Sequence, residues 1–225
     1  MSGGPGGVTA GVVLAGGRSR RMGTDKALLT RDGTTLLGHV LDALAAAVDG
    51  PLLVVGAADA ERAPPPDAAA RPWRARCRVV HDPVAGRGPL QGLATGLAAA
   101  AEDGSETAFV ASVDLPHLHP AFVRAVLAHR TGGVEVALPV LDGHRQPLLA
   151  AYATALGARA TALLERGELR PAALFAASAV RELDAAALLA DPELAARDPA
   201  LLAARGVNTP EEWARATREG PGPAT

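Results

Sequence analysis

Leu14-Ala15-Gly16-Gly17-Arg18-Ser19-Arg20-Arg21-Met22-Gly23-Thr24-Asp25-Lys26 decides how this chain is read, because it follows directly on the apolar run Gly11-Val12-Val13-Leu14. A short continuous apolar run bounded by glycine predicts a buried strand, Val8 to Leu14, that ends in a sharp turn. Gly16 and Gly17 carry no Cβ to block positive φ, so the backbone there can aim several N–H groups at one anion. Arg18, Arg20, Arg21 and Lys26 add countercharge, and Lys26 is the only lysine in the protein. An ammonium is a compact point charge that can follow a phosphate, whereas the guanidinium fork is wide and planar, so the two are not interchangeable at such a place. The stretch therefore reads as a phosphate-holding loop, with a plain glycine turn after a strand as the bland alternative. It has neither the Gly-Lys-Ser/Thr ending of a P-loop nor a G-x-G-x-x-G, so the motif is of another kind.

At 225 residues the chain suits one full α/β domain and is too short for two, so a single domain over 1–225 is expected, with 1–7 and about 220–225 as flexible ends. The net charge is −2 and the arginines are scattered, which implies neither a nucleic-acid nor a membrane partner and leaves room for a small, locally bound polyanion. Cys77 is the only cysteine, which excludes an internal disulfide framework and a cysteine-based zinc site. No apolar stretch approaches the ~20 residues needed to span a bilayer, and the start lacks the pattern of a secretory signal. A cytoplasmic protein is expected. The chain has no isoleucine and a single asparagine, a bias that makes rare residues informative: Lys26, Asn208 and the two glutamines, Gln91 and Gln146, all fall inside candidate motifs.

Farther along, the spacing of Leu36, Leu37, Val40, Leu41, Leu44 and Val48 predicts a helix over 35–48 with Thr35 as its cap. Strands are expected over 51–56, 78–82, 107–113, 134–140 and 147–152, with helices over 89–101 and 119–129 and mostly helix beyond. The stretch 57–76, with its proline run, reads as a long connector of loose shape. Strands alternating with helices imply parallel β-α-β units. The expected fold is α/β: one doubly wound, mostly parallel sheet with helices on both faces, Rossmann-like. In such a sheet the ligand lies beyond the carboxyl ends of the strands, near the switch in strand order.

Three candidates stand at such ends: the loop with Lys26, Asp82 after the third strand, and Asp114 in Asp114-Leu115-Pro116 after the fourth. A carboxylate aimed out of the sheet can hold magnesium together with phosphate oxygens and water; it can equally cap the turn that follows. Gly92 and Gly96 share one helix face and permit close approach, of a ligand or simply of the sheet. His144-Arg145-Gln146 is either an anion-binding cluster or a polar hairpin turn. Val207-Asn208-Thr209-Pro210-Glu211-Glu212 reads as a helix start with Thr209 as cap and Glu212 closing a capping box, Asn208 lying just outside. His117 and His119 read as helix-start residues and not as a zinc site.

These motifs together resemble the MobA-like nucleotidyltransferases, whose first strand ends in L-A-G-G-x-x-x-R-M-G-x-D-K; every fixed position is present here. The resemblance extends through Gly88-Pro89-Leu90-Gln91-Gly92-Leu93 and Asp114-Leu115-Pro116 to Asn208-Thr209-Pro210-Glu211-Glu212, from Val12 to about Glu212. It implies transfer of GMP from GTP to the terminal phosphate of molybdopterin with release of pyrophosphate. It also implies Mg2+ on Asp114 and catalytic parts for Lys26, Arg21 and Asp114. Nucleotide contacts are implied at Leu14, Ala15, Gly16, Gly17, Arg18, Lys26, Asp82, Gly88, Pro89, Leu90, Gly92 and Asp114, and acceptor contacts at His144, Arg145, Gln146 and Asn208. Cofactor-donor and acceptor molybdoenzyme proteins are candidate partners. Gly16-Gly17 and Asp25-Lys26 favour the guanylyl branch over the related cytidylyltransferases, while Val54-Val55-Gly56-Ala57 lacks a side-chain amide that guanylyl members use near the base. A cytidylyl or sugar-phosphate nucleotidyltransferase and a non-catalytic nucleotide-binding regulator are the alternatives.

Overall fold

The computed structural model describes residues 7–16, 26–58, 66–84 and 86–219. Of the expected flexible ends, 1–7 and about 220–225, all but Gly7 lie outside them. Strands β1 (Thr9–Leu14), β4 (Leu52–Gly56), β5 (Cys77–His81), β6 (Thr107–Ser112), β7 (Val136–Leu141), β9 (Leu149–Ala153) and β10 (Val180–Leu183) form one sheet in the order β10-β7-β9-β6-β1-β4-β5, with β8 (His144–Arg145) paired to β7; β2 (Thr30–Arg31) and β3 (Thr34–Thr35) form a separate hairpin.

Both faces of the sheet are buried, which is why its central strands are continuous apolar runs and not alternating ones. Period two still assigns the faces. Val13, Val54, Phe109 and Ala111 pack under α1 (Leu36–Ala45), α3 (Pro120–Leu127), α6 (Ala185–Leu189) and α7 (Pro192–Arg197). Val12, Val55, Val110 and Tyr152 pack under α2 (Pro89–Glu102), α4 (Leu156–Glu165) and α5 (Pro171–Phe175). Thr35 caps α1 as expected, accepting from Gly38 N at 3.0 Å. α8 (Pro210–Glu219) closes the described chain, with Val207 and Ala216 packed on Leu36.

The mostly parallel sheet is as expected; the loose connector over 57–76 needs correction, and two details are added to the rest. β9 runs antiparallel to both its neighbours, β6 and β7, so the sheet is mixed. The reason is the short link from β7: Asp142 and Gly143, with φ 50° and 73°, reverse the chain at once, and a parallel neighbour would need a crossover of about a dozen residues. The second half of the supposed loose connector is two 3-10 turns, Pro66–Ala70 and Pro72–Arg76. Trp73 buries its indole there and donates to Asp42 Oδ1 at 2.6 Å, and Arg76 donates to the carbonyls of Ala45, Val48 and Gly50. The C-terminal third is mostly helix, as expected, and β10 adds an edge strand parallel to β7. Among the described residues no helix is long and apolar enough to cross a membrane.

Candidate active site

β1, β4, β5 and β6 are mutually parallel, so their carboxyl ends share one edge of the sheet. The ladder continues one residue past each strand: Ala15 N donates to Val55 O at 2.9 Å, Asp82 N to Gly56 O at 2.9 Å and Val113 N to Leu14 O at 3.2 Å. These bonds fix the points from which the loops depart. At Gly16 a Cβ would stand 3.1 Å from Ala57 N, so the turn after β1 passes against the end of β4. The chain proceeds from β1 outward to β4 and β5, then returns to place β6 on the other side of β1. That reversal makes the β1/β6 boundary the switch point of the sheet.

Lys26 and Asp114 meet there. Lys26 Nζ donates to Val207 O at 2.8 Å and to Asn208 Oδ1 at 2.9 Å, and stands 3.6 Å from Asp114 Oδ2. Asp114 accepts at Oδ1 from the hydroxyl of Ser112, and its main-chain carbonyl accepts from Val207 N at 2.9 Å. Three segments distant in sequence thus converge. The carboxylate is held from one side by a hydroxyl of its own strand and faces an ammonium on the other. The C-terminal segment is held in turn by the capping box expected at Thr209: Glu212 N donates to Thr209 Oγ1 at 3.2 Å, while Glu212 Oε2 accepts from the amides of Thr209 and Asn208.

Asp82, three strands from Asp114 at the far end of the same edge, is half-buried. Burial pushes its carboxyl above the ordinary carboxylate range, against a hydrogen bond from Thr95 Oγ1 at 2.8 Å and the nearby His81, which both pull it down. Adjacent strands are about 4.8 Å apart, which puts Asp82 and Asp114 roughly 14 Å from each other. The loop from Asp82 leads to Gly88, whose φ of 73° starts α2 with Pro89 in its first turn.

Not every residue singled out in the sequence offers a side chain to this edge. Leu90 is fully buried in the core beneath α2, so any part it takes in ligand binding would be through its main chain. Gly92 and Gly96 serve helix–sheet packing: a Cβ would meet Leu14 at 3.2 Å in the first case and Val12 at 2.5 Å in the second. Gly17, Arg18, Arg20 and Arg21 lie outside the described residues.

His144, Arg145 and Gln146 sit on the β7–β8 hairpin. Because β7 runs in the direction of β6, this hairpin projects from the same edge of the sheet. Leu148 O accepts from Ser112 N at 2.8 Å, so the segment after Gln146 runs beside the strand that carries Asp114. His144 and Arg145 are exposed; Arg145 forms an ion pair with Glu182 of β10 and lies 6.0 Å from the Phe175 ring centroid. Among the described residues no group of three or more His, Cys, Asp or Glu is placed to cage a metal. His119 instead caps α3 and faces Asp198 at 3.4 Å.

Sequence reading passed over two residues here, Ser112 and Thr95. Both had a signal: Ser112 closes the strand two residues before Asp114, within reach of its carboxylate, and Thr95 is one helical turn after the rare Gln91.

A mostly parallel α/β sheet with a lysine, an aspartate and a glycine turn at its switch point defines the class, an α/β nucleotidyltransferase. The chain belongs to the MobA-like NTP transferase family, whose domain model matches residues 11–187. It is 39% identical over 178 residues to a Mycobacterium avium (strain 104) protein named "Probable molybdenum cofactor guanylyltransferase", covering 77% of this chain and 84% of that one. A protein of the same name from Mycobacterium tuberculosis (strain ATCC 25177 / H37Ra) is 40% identical over 173 residues, covering 75% and 80%. The fold is shared with molybdopterin-guanine dinucleotide biosynthesis protein A of Archaeoglobus fulgidus, at a TM-score of 0.68 and 21% identity over 93% of this chain and 97% of that one. It is shared also with 2-C-methyl-D-erythritol 4-phosphate cytidylyltransferase of Thermus thermophilus, at a TM-score of 0.61 and 19% identity over 95% and 98%.

Proposed function

We propose that this protein transfers GMP from GTP to the terminal phosphate of molybdopterin, releasing pyrophosphate and forming the guanine dinucleotide form of the molybdenum cofactor. The observation that carries the reading is the approach of Lys26 Nζ to Asp114 Oδ2, 3.6 Å, at the switch point of the sheet. The mycobacterial relatives named for this activity support it.

A phosphate oxygen of the acceptor forms a bond to the α-phosphorus of GTP. The bond from that phosphorus to the oxygen bridging to the β-phosphate breaks, and its electron pair leaves with pyrophosphate. No general base is needed, since a phosphate monoester with a second pKa of about 6 is already ionised at neutral pH. What the protein must supply is position and countercharge where negative charge gathers. Lys26 is the cation at that point. Among the described residues only Asp114 is paired with its charge, and its hydrogen bonds to Val207 O and Asn208 Oδ1 anchor it where it can serve phosphate oxygens. The glycine loop after β1, with Arg18 and Arg21, holds the triphosphate, and Asp82 the base. His144, Arg145 and Gln146 receive the acceptor from the hairpin side.

The Asp114 carboxylate at the switch point fits a hard divalent cation, with phosphate oxygens and water completing such a set. We assign Mg2+ to this residue. When bound it supplies charge neutralisation on the phosphates of GTP and on the departing pyrophosphate.

The test is pyrophosphate release with molybdopterin-bound molybdenum cofactor and Mg2+, comparing GTP with CTP, and with Lys26→Ala as control. Release with GTP, lost in the variant, is the expected result. Release with CTP alone would move the protein to cytidylyl transfer, and binding of GTP without turnover would make it a regulator.

A further inference from the structure

Among the described residues, Asp82 is gripped through one of its two carboxylate oxygens. Thr95 Oγ1 donates to Asp82 Oδ1 at 2.8 Å, and Gln91 Nε2, one helical turn before Thr95, donates to Thr95 Oγ1 at 3.4 Å. Gln91 is buried. The direction of this relay follows from chemistry: an amide nitrogen only donates, so the hydroxyl that receives it turns its own proton to the carboxylate. Among the described residues no hydrogen bond reaches Asp82 Oδ2. The carboxylate is therefore fixed in rotation with one oxygen occupied and the other presented.

An ionised carboxylate accepts and never donates. A base edge carrying two adjacent N–H donors suits it, as guanine does with N1–H and its 2-amino group. Cytosine and adenine each place a ring-nitrogen lone pair beside their amino group, and that lone pair would be set against the carboxylate. Discrimination of this kind is strong only when the acceptor cannot swing away to find water, since a site built to pair with an N–H penalises the analogue that lacks it. Rotational fixing of Asp82 is thus what selectivity requires, and the group that fixes it is on a rigid helix 13 positions away.

We propose that Thr95, backed by Gln91, is the positioning residue for base selection: its hydrogen bond sets the orientation of the Asp82 carboxylate that receives the paired N–H donors of guanine. The inference rests on the reading that this edge of the sheet takes GTP. The burial that pushes the Asp82 carboxyl up makes the same bond useful a second way, because a hydrogen bond to the ionised form keeps it ionised.

The experiment is calorimetric titration of the full chain with GTP and with ITP, which lacks the 2-amino group, in the presence of Mg2+ and without acceptor. In the wild type GTP binds more tightly than ITP. Thr95→Val, equal in shape but without a hydroxyl, is expected to weaken GTP by about tenfold, the scale of one hydrogen bond to a charged group, and to shrink the GTP/ITP ratio toward one. Thr95→Ser is expected to restore both. A folded Thr95→Val that keeps the wild-type ratio overturns the proposal while leaving the base site intact, provided Asp82→Asn still loses GTP affinity. If Asp82→Asn also binds GTP and ITP as the wild type does, the base does not lie at Asp82, and the reading of this edge falls together with the inference built on it.

Discussion

Lys26 and Asp114 stand 3.6 Å apart across the boundary of β1 and β6, and the lysine is held there by Val207 O and Asn208 Oδ1, both from the C-terminal segment. The pair is partly open to solvent, with side-chain exposures of 13% and 25%, so its direct worth to stability is at most about 1 kcal/mol. Its charge acts on whatever anion enters. Lys26→Ala and Asp114→Ala are each expected to lower turnover by about 100-fold or more, the cost of removing one preorganised electrostatic group. Thermal unfolding by circular dichroism should change little in either. Lys26→Arg should fail as well, because the broad fork cannot make the same two hydrogen bonds from one nitrogen. Near-normal rates in the folded variants would remove both residues from the catalytic machinery.

Glu212 offers a way to disturb Asn208 without touching it. Its carboxylate accepts from the amides of Asn208 and Thr209, closing the capping box at the start of α8. Glu212→Ala is expected to destabilise the protein by about 1 kcal/mol, as loss of a cap does. Because Asn208 is then less firmly placed on Lys26, kcat should also fall, whereas Asn208→Ala should lower kcat with a smaller change in unfolding temperature. The two variants, compared by thermal melts and steady-state rates, separate cap from contact.

Asp82 and Asp198 carry opposite pH signatures. The Asp82 carboxyl is raised in the folded state, chiefly by burial, so folding disfavours its ionised form and the penalty is relieved as pH falls through the folded value. Guanine requires the ionised form, so GTP affinity should fail on the acid side at a pH above the ordinary carboxylate range, and Asp82→Asn should abolish that limb. For Asp198 burial pushes the carboxyl up, but the hydrogen bond to His119 and the amides of Ala203 and Leu202 outweigh it, and the net value is lowered. Its contribution is present above the unfolded carboxylate pKa and is lost as pH falls through the folded one. The unfolding temperatures of wild type and Asp198→Ala should differ at neutral pH and converge in acid.

Gly96 should tolerate no side chain. A Cβ there would stand 2.5 Å from Val12 Cγ1 and 3.3 Å from Val55 Cγ2, with both valines fully packed between sheet and helix. Gly96→Ala is expected to cost about 1–3 kcal/mol by overpacking, despite alanine's better helix propensity. A denaturant midpoint at or above the wild type would show that α2 can lift from β1 without loss.

The sequence by itself determined what is local. Continuous apolar runs such as Val12-Val13-Leu14 and Leu52-Leu53-Val54-Val55 specify buried strands, and Thr35 and the box at Thr209–Glu212 specify helix starts, because each signal depends on neighbours a few residues apart. Tertiary structure alone decided the rest. That β9 reverses, that Val180–Leu183 is an edge strand among helix-forming alanines and leucines, and that Trp73 orders a proline-rich connector all follow from pairing and burial between distant segments. The site itself is of this second kind. Lys26, Ser112, Asp114 and Asn208 come together only because the chain reverses at β1 and α8 docks on Leu36, and Thr95 reaches Asp82 only because α2 packs back across β4 and β5. Period and propensity name the residues that face a given side; which of them meet is set by the free energy of packing the sheet between its helices, which no local window of sequence contains.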